Sequence, residues 1–171
     1  MTVTISVRPA RAEDVPALIQ LRLANAERHA GLDPAGHRLP ETGAVRRYFS
    51  ELLSGPAVDV TVLVAELSGS VAGMTEIVLT PAPPDNQILI PRRTAQVHTV
   101  VLERYRGQGI GRALVTAAEQ HATQHGVTCL LAPILESNAE AVTFYTQAGY
   151  GPHGIILRKE LPPQGGSATG S

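Results

Sequence analysis

Three glycines at alternate positions stand in the run Arg106-Gly107-Gln108-Gly109-Ile110-Gly111, followed at once by Arg112 and a stretch of helical character. Where a strand hands over to a helix, the first backbone N–H groups lack carbonyl partners and the helix dipole is positive, so the turn suits an anion such as phosphate. Glycines at 107, 109 and 111 clear side chains from the approach to the main chain, and Arg104, Arg106 and Arg112 add local positive charge. A tight glycine turn with scattered surface arginines is the competing reading. Spacing removes two familiar phosphate chemistries. No glycine here is followed by the lysine and hydroxyl pair of a P-loop. The third glycine of a dinucleotide fingerprint would fall at Arg112 or, in the alternative frame, at Leu114.

Other residues carry weaker chemical signals. His98 is the only titratable side chain from Ala95 to Leu102, and an imidazole with an ordinary pKa near ~6.5 can take a proton from an amine, directly or through water. Strand alternation puts it on the face opposite Val97 and Thr99, where a buried, hydrogen-bonded histidine is the alternative. Glu76, on the preceding strand, is a second acid–base candidate, with a solvent-facing carboxylate as its plain reading. His121 and His125 are one helical turn apart, but Ala122 stands where the catalytic zinc pattern has glutamate, so surface histidines are expected and no metal site. Cys129, the single cysteine, reads as a small core residue in an apolar run and rules out an internal disulfide framework.

The elements that must position these groups alternate between strand and helix. Val3 to Pro9 alternates as a strand, and Pro9, Asp14 and Pro16 turn the chain into a helix from Val15 to about His29. Gly31 to Gly43 is a polar, Gly- and Pro-containing loop before a second helix with Val45, Tyr48, Phe49, Leu52 and Leu53 at helical spacing. Val58–Leu67 and Val71–Leu79 form a hairpin, Ile88–Ile90 is short and stopped by Pro91, and Ala95–Leu102 is a strand that leads into the glycine loop and its helix. Val127–Leu131 is a further strand. Ser137 and Glu140 have the spacing of a capping box ahead of a helix from Ala139 to Ala148, and Ile155–Leu161 is expected to add a last strand.

Composition bounds the class. The chain has 171 residues, 43% hydrophobic, with 14 Lys plus Arg against 15 Asp plus Glu and a formal net charge of −1, which fits one globular domain. The expected domain spans 1–161, and 162–171 is expected to be a disordered tail too poor in apolar residues to be ordered. With 4% aromatic residues and balanced charge, nucleic-acid binding through Arg92, Arg93, Arg104 and Arg106 is disfavoured. No leader-like start and no membrane-length apolar run is visible, so a cytoplasmic protein is expected.

Arg106, Gly109 and Gly111 together match the central motif of the GNAT superfamily of acyl-CoA-dependent N-acetyltransferases: Arg or Gln, two residues, Gly, one residue, then Gly or Ala. The preceding HTVVLERY and the later SNAEAVTFYTQAGY, with Asn138, Phe144, Tyr145, Gly149 and Tyr150 in order, resemble the flanking motifs of that family. The order of elements agrees over Val3 to Leu161, and the specific motifs lie between about His98 and Tyr150. The resemblance implies a single-domain α/β fold with a mixed central sheet, a V-shaped splay between strands 4 and 5, and about four flanking helices. It implies acetyl-CoA as cosubstrate. The N–H groups of Gly107, Gln108, Gly109, Ile110, Gly111 and Arg112, beside Arg106, would take the pyrophosphate, and the backbone of Thr99, Val100 and Val101 would take the pantetheine arm. Asn138 would bond the same arm as well as capping its helix.

Tyr145 resembles the general acid that protonates the leaving thiolate, with a backbone N–H near Val101 for the oxyanion. The competing role of Tyr145 is an aromatic anchor. Some family members carry a glutamate five residues before the Asn138 position; here that residue is Pro133, which leaves His98 as the leading base. The implied reaction is direct transfer to a primary amine in a ternary complex, and a non-catalytic acyl-CoA sensor or interaction module is the alternative. The acceptor would meet the first two helices, the Gly31–Gly43 loop and the Pro81–Arg93 segment, with Arg22, Arg28, His29, His37, Arg46, Arg92 and Arg93. Its identity, and whether the chain forms a homodimer, stay open.

Overall fold

The computed structural model describes residues 4–56 and 58–163. The expected strand start at Val3 and the expected tail beyond residue 163 lie outside the described residues. Strand β1 (Ile5–Pro9) leads through a short 3-10 turn into α1 (Val15–Leu32) and then α2 (Thr42–Ser54). Next come the hairpin β2 (Val60–Leu67) and β3 (Ser70–Thr80), then β4 (Thr94–Val101), α3 (Ile110–Gln124), β5 (Cys129–Leu131) and α4 (Ala139–Gln147). The strands lie in the order β1-β2-β3-β4-β5. The first three pairings are antiparallel and the last is parallel. This is the mixed sheet and the helix count that the sequence implies.

Local chemistry explains the helix starts. Pro16 occupies the first turn of α1, where its missing N–H costs nothing and its fixed φ suits the helix. The Glu41 carboxylate accepts hydrogen bonds from the N–H groups of Gly43 and Ala44 at 2.8 and 2.7 Å, which caps α2. Ser137 and Glu140 do not form the expected capping box. Asn138 is the cap, its Oδ1 accepting from Ala141 N at 3.2 Å, because Glu140 is drawn away to two arginines.

Alternation along the strands splits the core between the two faces of the sheet. Val62, Val64, Met74 and Val100 pack under Leu18, Leu21 and Phe49 of α1 and α2. Leu63, Ile77, Ala95 and Val97 pack under Val115 and Ala118 of α3 and Tyr145 of α4. The two helical layers therefore approach β4 from opposite sides.

Two further expectations are corrected. Ile155–Leu161 is not a strand: residues 150–163 hold neither helix nor strand, and Ile156 is 95% exposed. A strand needs a ladder partner, and this segment instead reaches the end of α1, Arg158 donating to both carboxylate oxygens of Asp33 at 2.8 and 3.1 Å. Ile88–Ile90, read as a short run stopped by Pro91, forms no strand and is exposed. Cys129 is half-buried rather than a core residue, and the strand it opens is only three residues long.

Candidate active site

Strands β4 and β5 pair over Thr94–Cys129, Ala95–Leu130 and Gln96–Leu131, and there the pairing ends. β5 stops at Leu131 while β4 runs on to Val101, so the sheet opens into a V. Leu102 N donates to Ala72 O at 3.0 Å on the β3 side. Because peptide groups alternate along an antiparallel strand, those of Thr99 and Val101 point the other way, into the opening. The Val101 carbonyl is met there by Arg106 Nε at 3.4 Å. A cleft of about 710 Å³ occupies this opening, walled by β4, by α1, by the glycine loop and by α4.

The loop forms the outer end of the cleft. Gly107 and Gly109 have φ of +74° and +84°, values that bend the chain sharply into α3 and that other residues adopt at a cost. The first helical bond is Ala113 N to Gly109 O at 3.0 Å. Among the described residues, no backbone carbonyl takes the N–H groups of residues 107–112. Gly111 serves a different purpose. A Cβ there would come within 3.0 Å of the Phe144 ring, so its absence lets α4 dock against the start of α3. Ile110 turns its side chain into the core, Gln108 bonds back to Arg104 O at 3.4 Å, and Arg104 lies over the Tyr105 ring. The positive character of the loop thus comes from its main chain, Arg106 and Arg112.

Tyr145 approaches the gap from the α4 side, buried and edge-on to both Phe144 and Tyr150. Burial pushes its phenol above the ordinary value, and the neighbouring polar groups of Thr99 pull only partly against it. The hydroxyl therefore sits at the unpaired stretch of β4, and Thr99 Oγ1 is also 3.1 Å from Thr75 Oγ1. Asn138 is 6% exposed and lines the cleft. Its Oδ1 accepts from Ala141 N and, at 3.3 Å, from Arg28 Nη2, which leaves its amide N–H donors for a ligand.

His98 lines the same cleft from the other face of β4, the α1–α2 side, as alternation requires. Burial holds its imidazole below the ordinary value; Glu76 opposes that, and Arg22 and His29 reinforce it. Glu76 is not the solvent-facing carboxylate expected from its strand. It is 5% exposed, directly opposite His98 in the β3–β4 register, with its two oxygens 2.7 and 2.8 Å from Arg22 Nη2 and with Tyr48 Oη donating to Oε1 at 3.2 Å. Arg22 in turn lies over the rings of Phe49 and Tyr48.

Two contacts close the picture. Glu140 of α4 accepts from Arg28 of α1 at 2.6 Å and from Arg106 at 3.2 Å, so one carboxylate ties three walls of the cleft together. The pairing of Arg22 and Tyr48 with Glu76, and of Arg28 with Glu140, was not visible in the sequence. The one available signal was an acid in the middle of a strand with apolar Met74 and Val78 as its neighbours on the same face, a position where carboxylates are rarely left without a partner. His121 and His125 stack on each other at the C-terminal end of α3, away from the cleft, and among the described residues no three metal-donor side chains come together. No helix among the described residues is long and apolar enough to cross a membrane.

A split sheet with an unpaired strand edge, a glycine turn opening a helix and a tyrosine at the fork are the features of an acyl-transferring class. The chain belongs to the acetyltransferase (GNAT) family, whose model matches residues 23–150. Among solved structures, a mutant of the BH1408 protein from Bacillus halodurans is 23% identical, with a TM-score of 0.82 over 92% of this chain and 99% of its own. The aminoglycoside N-acetyltransferase AAC(6')-Iy, solved in complex with CoA, is 15% identical, with a TM-score of 0.68 over 94% and 98% of the two chains. The aminoglycoside acetyltransferase meta-AAC0020, from an uncultured soil metagenomic sample and solved with sisomicin, is 19% identical, with a TM-score of 0.66 over 94% and 97%. At these identities the likeness is one of fold. Among curated protein sequences none matches the chain.

Proposed function

We propose that the protein transfers an acetyl group from acetyl-CoA to a primary amine by direct attack in a ternary complex. The observation that carries this reading is the meeting in one cleft of an unpaired β4 edge, free N–H groups at residues 107–112 and the Tyr145 hydroxyl beside Thr99. The pyrophosphate binds the N–H groups of the loop with Arg106 and Arg112 beside it. The pantetheine amides add to Thr99–Val101 as a guest strand would, with Asn138 donating to the same arm. This leads the thioester to the fork of the V.

The acceptor enters from the α1–α2 side. His98, directly or through one water, takes a proton from the ammonium, and the neutral amine attacks the thioester carbonyl. The N–H of Val101 points into the gap and is the donor for the tetrahedral oxyanion. Collapse breaks the carbon–sulfur bond, Tyr145 gives its phenolic proton to the departing thiolate, and the second proton shed by the attacking nitrogen as it becomes the amide restores the phenol, directly or through water. A phenol held above its ordinary value is protonated at neutral pH and so is ready for that step.

Calorimetry with CoA and acetyl-CoA, followed by thiol release against a panel of amines that includes an aminoglycoside, an amino acid and a peptide N-terminus, tests the reading. Binding of both ligands with release on at least one amine is expected. No heat with either ligand overturns it, and binding without turnover on any amine moves the protein to an acyl-CoA sensor.

A further inference from the structure

Behind His98, outside the lining of the cleft itself, lies one buried ionic group that the transfer does not use. Glu76 of β3 lies opposite His98 of β4, yet its oxygens are taken by Arg22 of α1 and Tyr48 of α2. Four elements, distant in sequence, converge on one carboxylate. Arg22 is fixed from its far side by the Tyr48 and Phe49 rings, 5.5 and 5.2 Å from its guanidinium carbon. A bare carboxylate there would be expensive to bury and would hold a proton on any adjacent imidazole.

We propose that Arg22 and Tyr48 are positioning residues of the acyl transfer: by occupying the oxygens of Glu76 they neutralise it opposite His98, leaving that imidazole unprotonated and able to take the proton of the acceptor. The proposal rests on His98 as the base. It also states what Glu76 does, which is to balance charge rather than exchange protons with substrate. Once His98 has taken a proton, the nearby carboxylate eases the charge on the imidazolium, so the pair serves both halves of the cycle.

The groups acting on His98 come from every element packed against it. Arg22 and His29 face it from α1, Tyr48 reaches it from α2 through Glu76, and Glu76 faces it from β3. Arg28 lines the same cleft but is bound to Glu140. Burial lowers the proton affinity of His98 first, Glu76 raises it, and Arg22 lowers it again. Uncovering Glu76 must therefore raise the midpoint of His98, and removing the Glu76 charge must lower it.

The test is an NMR titration of the imidazole signals of the full chain, with the His98 signal identified by its loss in His98→Gln. Arg22→Gln is expected to move the His98 midpoint up by about one pH unit, the lower end of what a charge at this range does. Tyr48→Phe should move it up by less, Glu76→Gln should move it down, and Arg22→Lys should stay near the starting value. The acid limb of kcat/KM should follow the same order while CoA affinity is unchanged. If Arg22→Gln does not fold, Tyr48→Phe and Glu76→Gln, which remove a hydrogen bond and a charge without emptying space, carry the test. A His98 midpoint that stays put in the folded variants overturns the proposal. The titration needs no acceptor, so its failure is distinct from a failure to bind CoA.

Discussion

Gly111 and the ring of Phe144 are so close that a methyl group on the glycine would lie 3.0 Å from Cε2 and 3.1 Å from Cζ. The start of α3 and the body of α4 come close at this bare α-carbon, and the contact sets how near α4 lies to the glycine loop at the cleft. Gly111→Val is expected to push α4 outward, weakening CoA binding at least tenfold and lowering Tm. Gly109→Ala instead forces a left-handed residue without a clash, at a cost of about 1–2 kcal/mol. Calorimetry and thermal melts on the two variants separate geometry from strain. Equal CoA affinity in Gly111→Val and the native protein would contradict the assignment.

Tyr145→Phe keeps the ring and its edge-on contacts and removes only the hydroxyl. The expected result is a fall in kcat of about 10²-fold or more with the CoA Kd unchanged, measured by thiol release and calorimetry. Because the phenol is held above its ordinary value, it stays protonated throughout the usual assay range, and no alkaline loss of rate below about pH 10 should trace to it. A variant that loses stability but keeps kcat would mark Tyr145 as an anchor.

Much of this site was legible before any coordinates because it is made of main chain. The loop needs glycine where φ is positive at 107 and 109 and where Phe144 approaches 111, so its identity is written in residue types at fixed spacing. Alternation along β4 also placed His98 on the face away from Thr99. The role of Glu76 was not legible, since Arg22 and Glu76 are 54 positions apart and meet only once the β3–β4 register and the docking of α1 are settled. The same holds for Arg28 and Glu140, whose pairing displaced an expected local cap. Residues 155–161 misled in the opposite sense: apolar, β-favouring residues suggest a strand, but pairing is decided by whether an edge is available.

The Glu140 bridge bears on coenzyme capture. Glu140 is pulled below the ordinary carboxylate range by its hydrogen bond to Arg28, which outweighs the opposing effect of burial, and by the charges of Arg28 and Arg106. Glu140→Gln should release two guanidinium groups at the phosphate end of the cleft. CoA is then expected to bind several-fold tighter at low salt, with the gain shrinking at high salt. Calorimetry at two ionic strengths reads this directly, and unchanged or weaker binding at low salt would count against phosphates at that end.

At the other end of the chain, Arg8 Nη1 and Nη2 donate to Asp14 at 2.7 and 2.9 Å, and Arg8 also pairs with Glu66. Asp14 is buried, which alone would raise its pKa, but the bonds from Arg8 and Arg11 N and their charges bring it below the ordinary 3.8. A carboxyl lowered on folding stabilises the fold above its unfolded value, and that contribution is lost as pH falls through the folded value. Thermal melts should show Tm falling as pH drops below about 4. Arg8→Met leaves the buried carboxylate alone and should cost about 3 kcal/mol at pH 7 by urea unfolding. A loss that persists undiminished at pH 3 would point to packing instead.

The early parting of β4 and β5 also makes the protein's fate depend on its ligand. Donors and acceptors left bare by the fork can be satisfied by a guest's amides or, failing that, by an extended stretch of some neighbouring polypeptide. Saturation with coenzyme should accordingly lengthen shelf life and suppress light scattering on gentle warming more than the gain in Tm accounts for.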